Sequence, residues 1–210
     1  MKDPNKKLLA TSLEIIQQLQ NLLSRKQNAI IVALDGGSGA GKSTLASIIK
    51  DELDAALIAL DDFFSVNIPD SEWDKFAVEE KLKHVFDWVR LRNHAIMPLL
   101  KGQPARWHAF DFQSGLRADG TYGMEKEWKK LEPANVILIE GAYSASPELA
   151  DLLDFAILVD VPIEERHVRL EAREDHDFLV KWHQRWDEVE RYYFNQVRPE
   201  NSFDFVVKLK

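Results

Sequence analysis

Short, uninterrupted apolar runs alternate along the chain with longer amphipathic stretches, a pattern that predicts strands separated by helices. Ala29-Ile30-Ile31-Val32-Ala33-Leu34, Ala56-Leu57-Ile58-Ala59-Leu60, Val136-Ile137-Leu138-Ile139 and Phe155-Ala156-Ile157-Leu158-Val159 read as strands. Phe203-Asp204-Phe205-Val206-Val207 reads as a weaker fifth. Strands this apolar suit a parallel sheet covered on both faces, with helices as the crossovers. Leu8, Leu9, Ile15, Ile16, Leu19, Leu22 and Leu23 recur at helical spacing and predict an amphipathic helix over 8–25. Its polar face is not strongly basic, which favours packing on the domain over a membrane role. The section between Val66 and Pro133 is rich in Trp, Asp and Arg, and a helix is predicted around 75–92. Parallel sheets bind ligands at the carboxyl ends of their strands. Asp35, Asp61, Asp62, Glu140 and Asp160 stand at those ends and are therefore the acidic residues of interest.

The loop between the first strand and the next helical run sharpens the picture. Gly36-Gly37-Ser38-Gly39-Ala40-Gly41-Lys42-Ser43-Thr44 is a complete G-x-x-x-x-G-K-[ST] motif, preceded by a strand and followed by Leu45-Ala46-Ser47-Ile48-Ile49. Glycines let the backbone aim successive N–H groups at phosphate oxygens, and the helix adds the positive end of its dipole. Lys42 is expected to reach the β and γ phosphates of ATP, and the Ser43 hydroxyl to hold Mg²⁺. The fold expected is thus a P-loop α/β/α sandwich of three layers around a mostly parallel five-stranded sheet. No N-K-x-D or L-S-G-G-Q motif follows, which lowers a GTPase or an ABC-type ATPase. Transfer of a phosphoryl group to a small acceptor needs one carboxylate near the acceptor hydroxyl and another to hold Mg²⁺. Asp61 is placed for the first task, with a strand-end cap as the alternative.

Composition narrows the partners. A chain of 210 residues with 45% hydrophobic and 30% charged residues suits one α/β domain with a small lobe. The net charge of −8 argues against nucleic-acid binding, which needs a basic face. No apolar run approaches the roughly 20 residues of a membrane span, and no secretory signal is apparent, so a cytoplasmic location is expected. There is no cysteine, which removes disulfides and thiolate metal sites, and the six histidines show no metal-ligand spacing.

Several of these segments resemble the uridine kinase and phosphoribulokinase-like P-loop kinases. Leu60-Asp61-Asp62-Phe63-Phe64 is similar to the D-S-F-Y of uridine kinases and the D-D-F-F of nicotinamide riboside kinases. Phe110-Asp111-Phe112 followed by Arg117 resembles Y-D-F-x-x-H-x-R, and Ile139-Glu140-Gly141 resembles the I-E-G ending the third core strand. Val159-Asp160 followed by Arg166, Arg169 and Arg173 is similar to the helix entering the lid over ATP. The resemblance covers roughly residues 29–207. It implies an ATP- and Mg²⁺-dependent kinase of a small hydroxylated acceptor, with Asp61 as base and Lys42 and Arg173 acting on the transferring group. Gly36 through Thr44 and Arg169 would bind ATP, and Ser43, Asp61 and Glu140 would serve the metal. Asp87, Arg106, Phe110, Asp111 and Arg117 become acceptor-binding candidates.

Two departures carry weight. Gly115 stands where uridine kinases carry a base-contacting histidine, so uridine is disfavoured against nicotinamide riboside, pantothenate or a sugar. The lid segment E-R-G-R is missing, and no arginine follows Arg173 before Arg185, leaving Arg169, Arg173 or Arg185 to act alone. A nucleotide-binding regulatory protein with little turnover is the alternative from another class, and a homo-oligomer stays open. Asp87 has a solvated helix face as its alternative, and Arg106 and Arg117 have surface ion pairs. Trp73, Trp88 and Trp107 are candidates for stacking on a flat substrate or for the core. Glu188 and Glu190 are expected on a solvated helix. The organisation expected is one domain over 1–210, with an N-terminal helix in 1–28, a substrate-facing insert in 66–133, and lid and C-terminal helices in 163–198.

Overall fold

The computed structural model describes residues 4–208; residues 1–3 and 209–210 of the expected domain lie outside the described residues. The apolar runs form β1 (Ile30–Asp35), β2 (Ala56–Ala59), β5 (Val136–Glu140), β6 (Phe155–Asp160) and β7 (Phe205–Lys208). They pair in parallel in the order β2-β5-β1-β6-β7, with β1 at the centre. The two remaining strands, β3 (Ala105–Asp111) and β4 (Gly123–Leu131), form a separate antiparallel hairpin.

Strand alternation divides the core into two layers. Ile30, Val32 and Leu34 of β1, with Val136 and Leu138 of β5, pack against α1 (Pro4–Leu23) and α2 (Lys42–Leu53) through Ile15, Leu19, Leu45 and Ile49. Ile31 of β1 and Ile137 and Ile139 of β5 face the other way, toward Leu91, Trp107, Val189 and Tyr193. The three-layer sandwich follows from this period of two. Among the described residues, no helix is long and apolar enough to cross a membrane.

The section 66–133 departs from expectation. A continuous helix around 75–92 does not form: α3 (Asp70–Trp73) and α4 (Val78–His84) come first, and the chain then breaks before α5 (Trp88–Arg90). The cause is a tertiary bridge. Ser65 donates its N–H to Val85 at 3.0 Å and Asp87 donates to Phe63 at 2.8 Å, so backbone groups a helix would use are taken by the segment after β2. The Asp87 carboxylate accepts the Arg90 N–H at 2.9 Å and starts the next turn. A π-turn over Leu91–Ile96 leads into α6 (Met97–Leu100), where Pro98 has no N–H to continue the α ladder. After β6, the chain forms α7 (Ile163–Glu171) and α8 (His176–Tyr192).

One buried carboxylate gathers the carboxyl ends of these elements. Asp35, at the end of β1, accepts N–H groups from Gly36, Tyr143 and Ala145 at 2.7, 2.8 and 2.9 Å, and the Tyr193 hydroxyl at 2.6 Å. Tyr193 is fully buried just past α8. Burial pushes the Asp35 carboxyl upward, opposed by the Tyr193 hydroxyl, the Ala145 and Gly36 amides and the Lys42 charge. Tyr193→Phe keeps the ring and removes one donor from this carboxylate. It is expected to cost about 1–3 kcal/mol, read as a lower urea midpoint at unchanged m value. An unchanged midpoint would show that the hydroxyl does not support the hub.

Candidate active site

The loop Gly36–Thr44 leaves β1 and enters α2 as the sequence context requires. Ser38, Gly39, Gly41, Lys42, Ser43 and Thr44 line a cleft of about 370 Å³, while Gly36, Gly37 and Ala40 stand behind it. Lys42 is buried and donates to the carbonyls of Gly36 and Gly37 at 2.9 and 3.1 Å. Arg166 of α7 braces the loop from behind. Its guanidinium donates to the Ser38 carbonyl at 3.0 Å, to the Val161 carbonyl at 3.1 Å and to Glu190 at 2.5 Å. This close approach explains two glycines: a Cβ at Gly37 would lie 2.1 Å from Arg166 Nη1, and one at Gly39 (φ +80°) 2.7 Å from the Arg166 carbonyl oxygen. Arg169 reaches the carbonyls of Gly39 and Ala40 at 3.3 and 3.4 Å.

Neighbouring aspartates after β2 point to different surroundings because Leu60–Phe63 is a tight 3₁₀ turn. Asp61 lines the cleft with Lys42, Ser43, Glu140 and Arg173. It meets the water of the cleft, yet protein encloses its other sides, and this raises its pKa above the ordinary 3.8. Lys42 opposes the shift, Asp62 adds to it and Arg173 opposes it. Asp62 instead turns inward, accepting Trp107 Nε1 at 2.8 Å and Lys129 Nζ at 2.7 Å from the hairpin. Glu140, at the end of β5, accepts the Ser43 hydroxyl at 3.3 Å. Its pKa is also raised, by burial first and by the Asp61 charge, with Lys42 and the Ser43 bond opposing. A hydroxyl and two carboxylates crowded beside one another form an oxygen-only donor set of the kind Mg²⁺ takes.

A second cavity, about 440 Å³, adjoins the cleft and shares Phe64, Trp182 and Trp186 with it. Its other walls include Trp73, Phe110, Phe112 and Tyr122, with Gly115 at its edge. Phe110 and Trp73 thus stand where the sequence suggests. Asp87, by contrast, is occupied as a helix cap, and Arg106 points outward because its neighbours Ala105 and Trp107 take the inward register of β3. Neither reaches a cavity. Asp111 closes a turn by accepting N–H groups of Gln113 and Ser114, both at 3.0 Å, and the Ser114 side chain first, then these amides, hold its carboxyl below the usual range. Arg117 lies against Gly123 of the hairpin. Trp88 and Trp107 are core residues bonded to the Lys83 carbonyl and to Asp62.

The lid also needs correction. Arg185 does not enter the nucleotide cleft; it lines the aromatic cavity, fixed by Asp70 at 2.6 Å and Asp74 at 2.8 Å. Glu188 is solvated, but Glu190 is not: its carboxylate accepts Ser38 N–H at 3.1 Å as well as Arg166. His167, His183 and Asp187 converge on the same cleft although their spacing gave no sign of it. Trp182 and Trp186 were legible only as members of an amphipathic helix. Arg166 shares a helix face with Arg169 and sits at helical spacing from Arg173, which stands in the turn after α7; that spacing was its available signal.

Comparison with known proteins agrees with this geometry. The family profile "Phosphoribulokinase / Uridine kinase family" matches residues 31–178. A uridine kinase of Halobacterium salinarum is 30% identical over 173 residues, covering 80% of this chain and 71% of the relative. Uridine-cytidine kinase-like 1 of Mus musculus is 30% identical over 152 residues, which are 70% of this chain and 26% of that longer protein. Among solved structures, a possible uridine kinase from Bacillus stearothermophilus superposes with a TM-score of 0.62 at 18% identity, covering 92% of this chain and 99% of the other. D-glycerate 3-kinase from Cryptococcus neoformans superposes at 0.54 with 15% identity, over 92% and 88% of the two chains. With the loop, the acidic strand ends and the shared sheet in place, the chain belongs to the phosphoribulokinase/uridine kinase family of ATP-dependent small-molecule kinases.

Proposed function

We propose that the chain moves the γ-phosphoryl group of ATP to a hydroxyl of a ring-bearing small molecule seated in the aromatic cavity. The observation that carries this reading is the position of the turn after β2. Asp61 lines the phosphate-loop cleft, and Phe64, three residues on, forms the wall that both cavities share. An acceptor ring stacked beside Phe64 brings its hydroxyl toward Asp61. Aromatic walls supply contact area with little side-chain entropy to lose, and they favour a flat partner. Arg185 offers an acidic acceptor no free charge, because two aspartates already neutralise it.

In this reading the loop amides and Lys42 receive the β and γ phosphates, and Arg166 keeps the loop in its receiving shape. Ser43 and Glu140 hold Mg²⁺, with Asp61 beside them; when bound, the ion neutralises charge on the transferring group. Asp61 orients the acceptor hydroxyl and takes its proton. Its raised pKa makes it a better base than an ordinary aspartate. Arg173, at the mouth of the cleft, adds positive charge. Positioning and electrostatics supply most of the rate in such transfers. The acidic net charge supports a small-molecule partner over nucleic acid, and a cytoplasmic setting fits the use of ATP.

Asp61→Asn is expected to retain ATP binding while acceptor-dependent ADP release falls roughly 10²-fold or more. Because Arg173 favours the ionised carboxylate, Arg173→Gln raises the Asp61 pKa further and moves the acid limb of kcat/KM to higher pH. An unmoved limb in that variant, or full activity in Asp61→Asn, would remove Asp61 from the role of base.

Glu140→Gln loses one ionic ligand, and the Mg²⁺ concentration needed for half-maximal activity is expected to rise roughly 10-fold or more. An unchanged Mg²⁺ titration would place the ion elsewhere.

The acceptor itself is testable by competition among ring compounds. Gly115 gives the cavity edge no side chain to pair with a pyrimidine, so uridine and cytidine are expected at kcat/KM at least about 10²-fold below the true acceptor. Steady-state assays across uridine, cytidine, nicotinamide riboside, pantothenate and sugars decide this, and efficient uridine turnover would overturn the specificity argument.

A further inference from the structure

His167 on α7 and His183 and Asp187 on α8 meet on the wall of the phosphate-loop cleft. Their ligand atoms all lie within 4.8 Å of one another. His183 Nδ1 is 2.9 Å from Asp187 Oδ1, His167 Nε2 is 3.6 Å from Asp187 Oδ2, and the two imidazole centroids are 4.0 Å apart. We propose that these three side chains form a binding site for a divalent transition-metal ion of the Zn²⁺ class, separate from the Mg²⁺ ligands and fastening α7 to α8.

The chemistry selects the ion. Two imidazoles and a carboxylate suit zinc and its neighbours, whereas Mg²⁺ prefers oxygen alone. The geometry is compatible in scale: zinc at 2.0–2.1 Å from each ligand of a tetrahedron sets ligand atoms about 3.4 Å apart, and the three ligand atoms already lie within 4.8 Å of one another. Small side-chain rotations suffice. Asp187 and His183 stand four residues apart on one helix face, so a single element presents two ligands together. The neighbouring charges do not oppose a cation, because Arg166 is already paired with Glu190. Three protein ligands leave a fourth coordination position, and since all three line the cleft, that position opens toward it. A bound ion would add positive charge to a lid that has few free arginines.

Isothermal titration of ZnCl₂ into the chelator-stripped full chain tests the site without any assay of phosphoryl transfer, so its failure and that of the kinase reading are distinguishable. Saturation at one ion per chain is expected, with affinity reduced at least about 10-fold in His167→Gln, His183→Gln and Asp187→Asn and retained in Glu140→Gln. Excess Mg²⁺ should leave the zinc isotherm in place. If a substituted chain does not fold by far-UV circular dichroism, the wild-type chain still answers: zinc should shift the imidazole NMR signals of His167 and His183 and raise the melting temperature by about 5 °C. Absence of binding, binding indifferent to the three substitutions, or unmoved imidazole signals at saturating zinc would each overturn the site and leave Asp187 as a hydrogen-bond partner of His183 alone.

Discussion

The buried Asp35 carboxylate fixes the relation among three chain segments that the site needs at once. It holds the first amide of the phosphate loop, the turn that follows Glu140, and the end of α8 through Tyr193. Strand pairing alone would leave those segments free to move, since two begin where a strand stops and the third lies at the end of a helix. A fully buried charge is costly, and burial raises the Asp35 pKa despite the Tyr193, Ala145 and Gly36 donors and the Lys42 charge. The native state therefore binds this proton more tightly than the unfolded chain does. Its contribution to stability is greatest below the unfolded pKa and declines as pH rises toward the folded one. The hub thus trades stability for geometry, the usual bargain at a functional site.

Electrostatics on the other side of the loop follows the same logic. Asp61 and Glu140 are both raised, each acts on Lys42, and Lys42 itself bonds to backbone carbonyls of the loop. The two carboxylates are thus under-neutralised, a condition that a cation relieves. Arg166 and Arg169 do little to relieve it, because their guanidiniums engage loop carbonyls; Arg173 opposes the Asp61 shift but shares its charge with Glu174. Counting arginines in the lid therefore misjudges the charge available: most of it serves the shape of the loop.

The sheet was legible because a parallel strand covered on both faces leaves an uninterrupted apolar run, and β1, β2, β5 and β6 each do so. The hairpin was not. Strand β4 is largely exposed along Glu125-Lys126-Glu127-Trp128-Lys129-Lys130, so no buried face imposes a period of two. The break at Val85-Phe86-Asp87 was hidden for another reason: its cause is a partner segment about 20 residues earlier, and helical spacing reports only local order. The motif marked the loop, and the strand ends marked five acids, of which Asp61 and Glu140 line the cleft. It could not identify Glu190, because one acid on an amphipathic helix carries no mark of which loop it meets.

Helix α8 connects the two cavities through its own periodicity. At about 100° per residue, Trp182 and Trp186 lie on one stripe and His183, Asp187 and Glu190 on the next. The first stripe walls the aromatic cavity and its junction with the cleft, and the second faces the nucleotide side. Tyr193 then anchors the end of this helix to Asp35. A rotation of α8 about that anchor cannot move one stripe without the other. Whatever orders the polar stripe, a phosphate beside the loop or an ion among the histidines, also sets the tryptophans against an acceptor. Under the proposed reading, the nucleotide and acceptor cavities are linked by one helix whose residues line both.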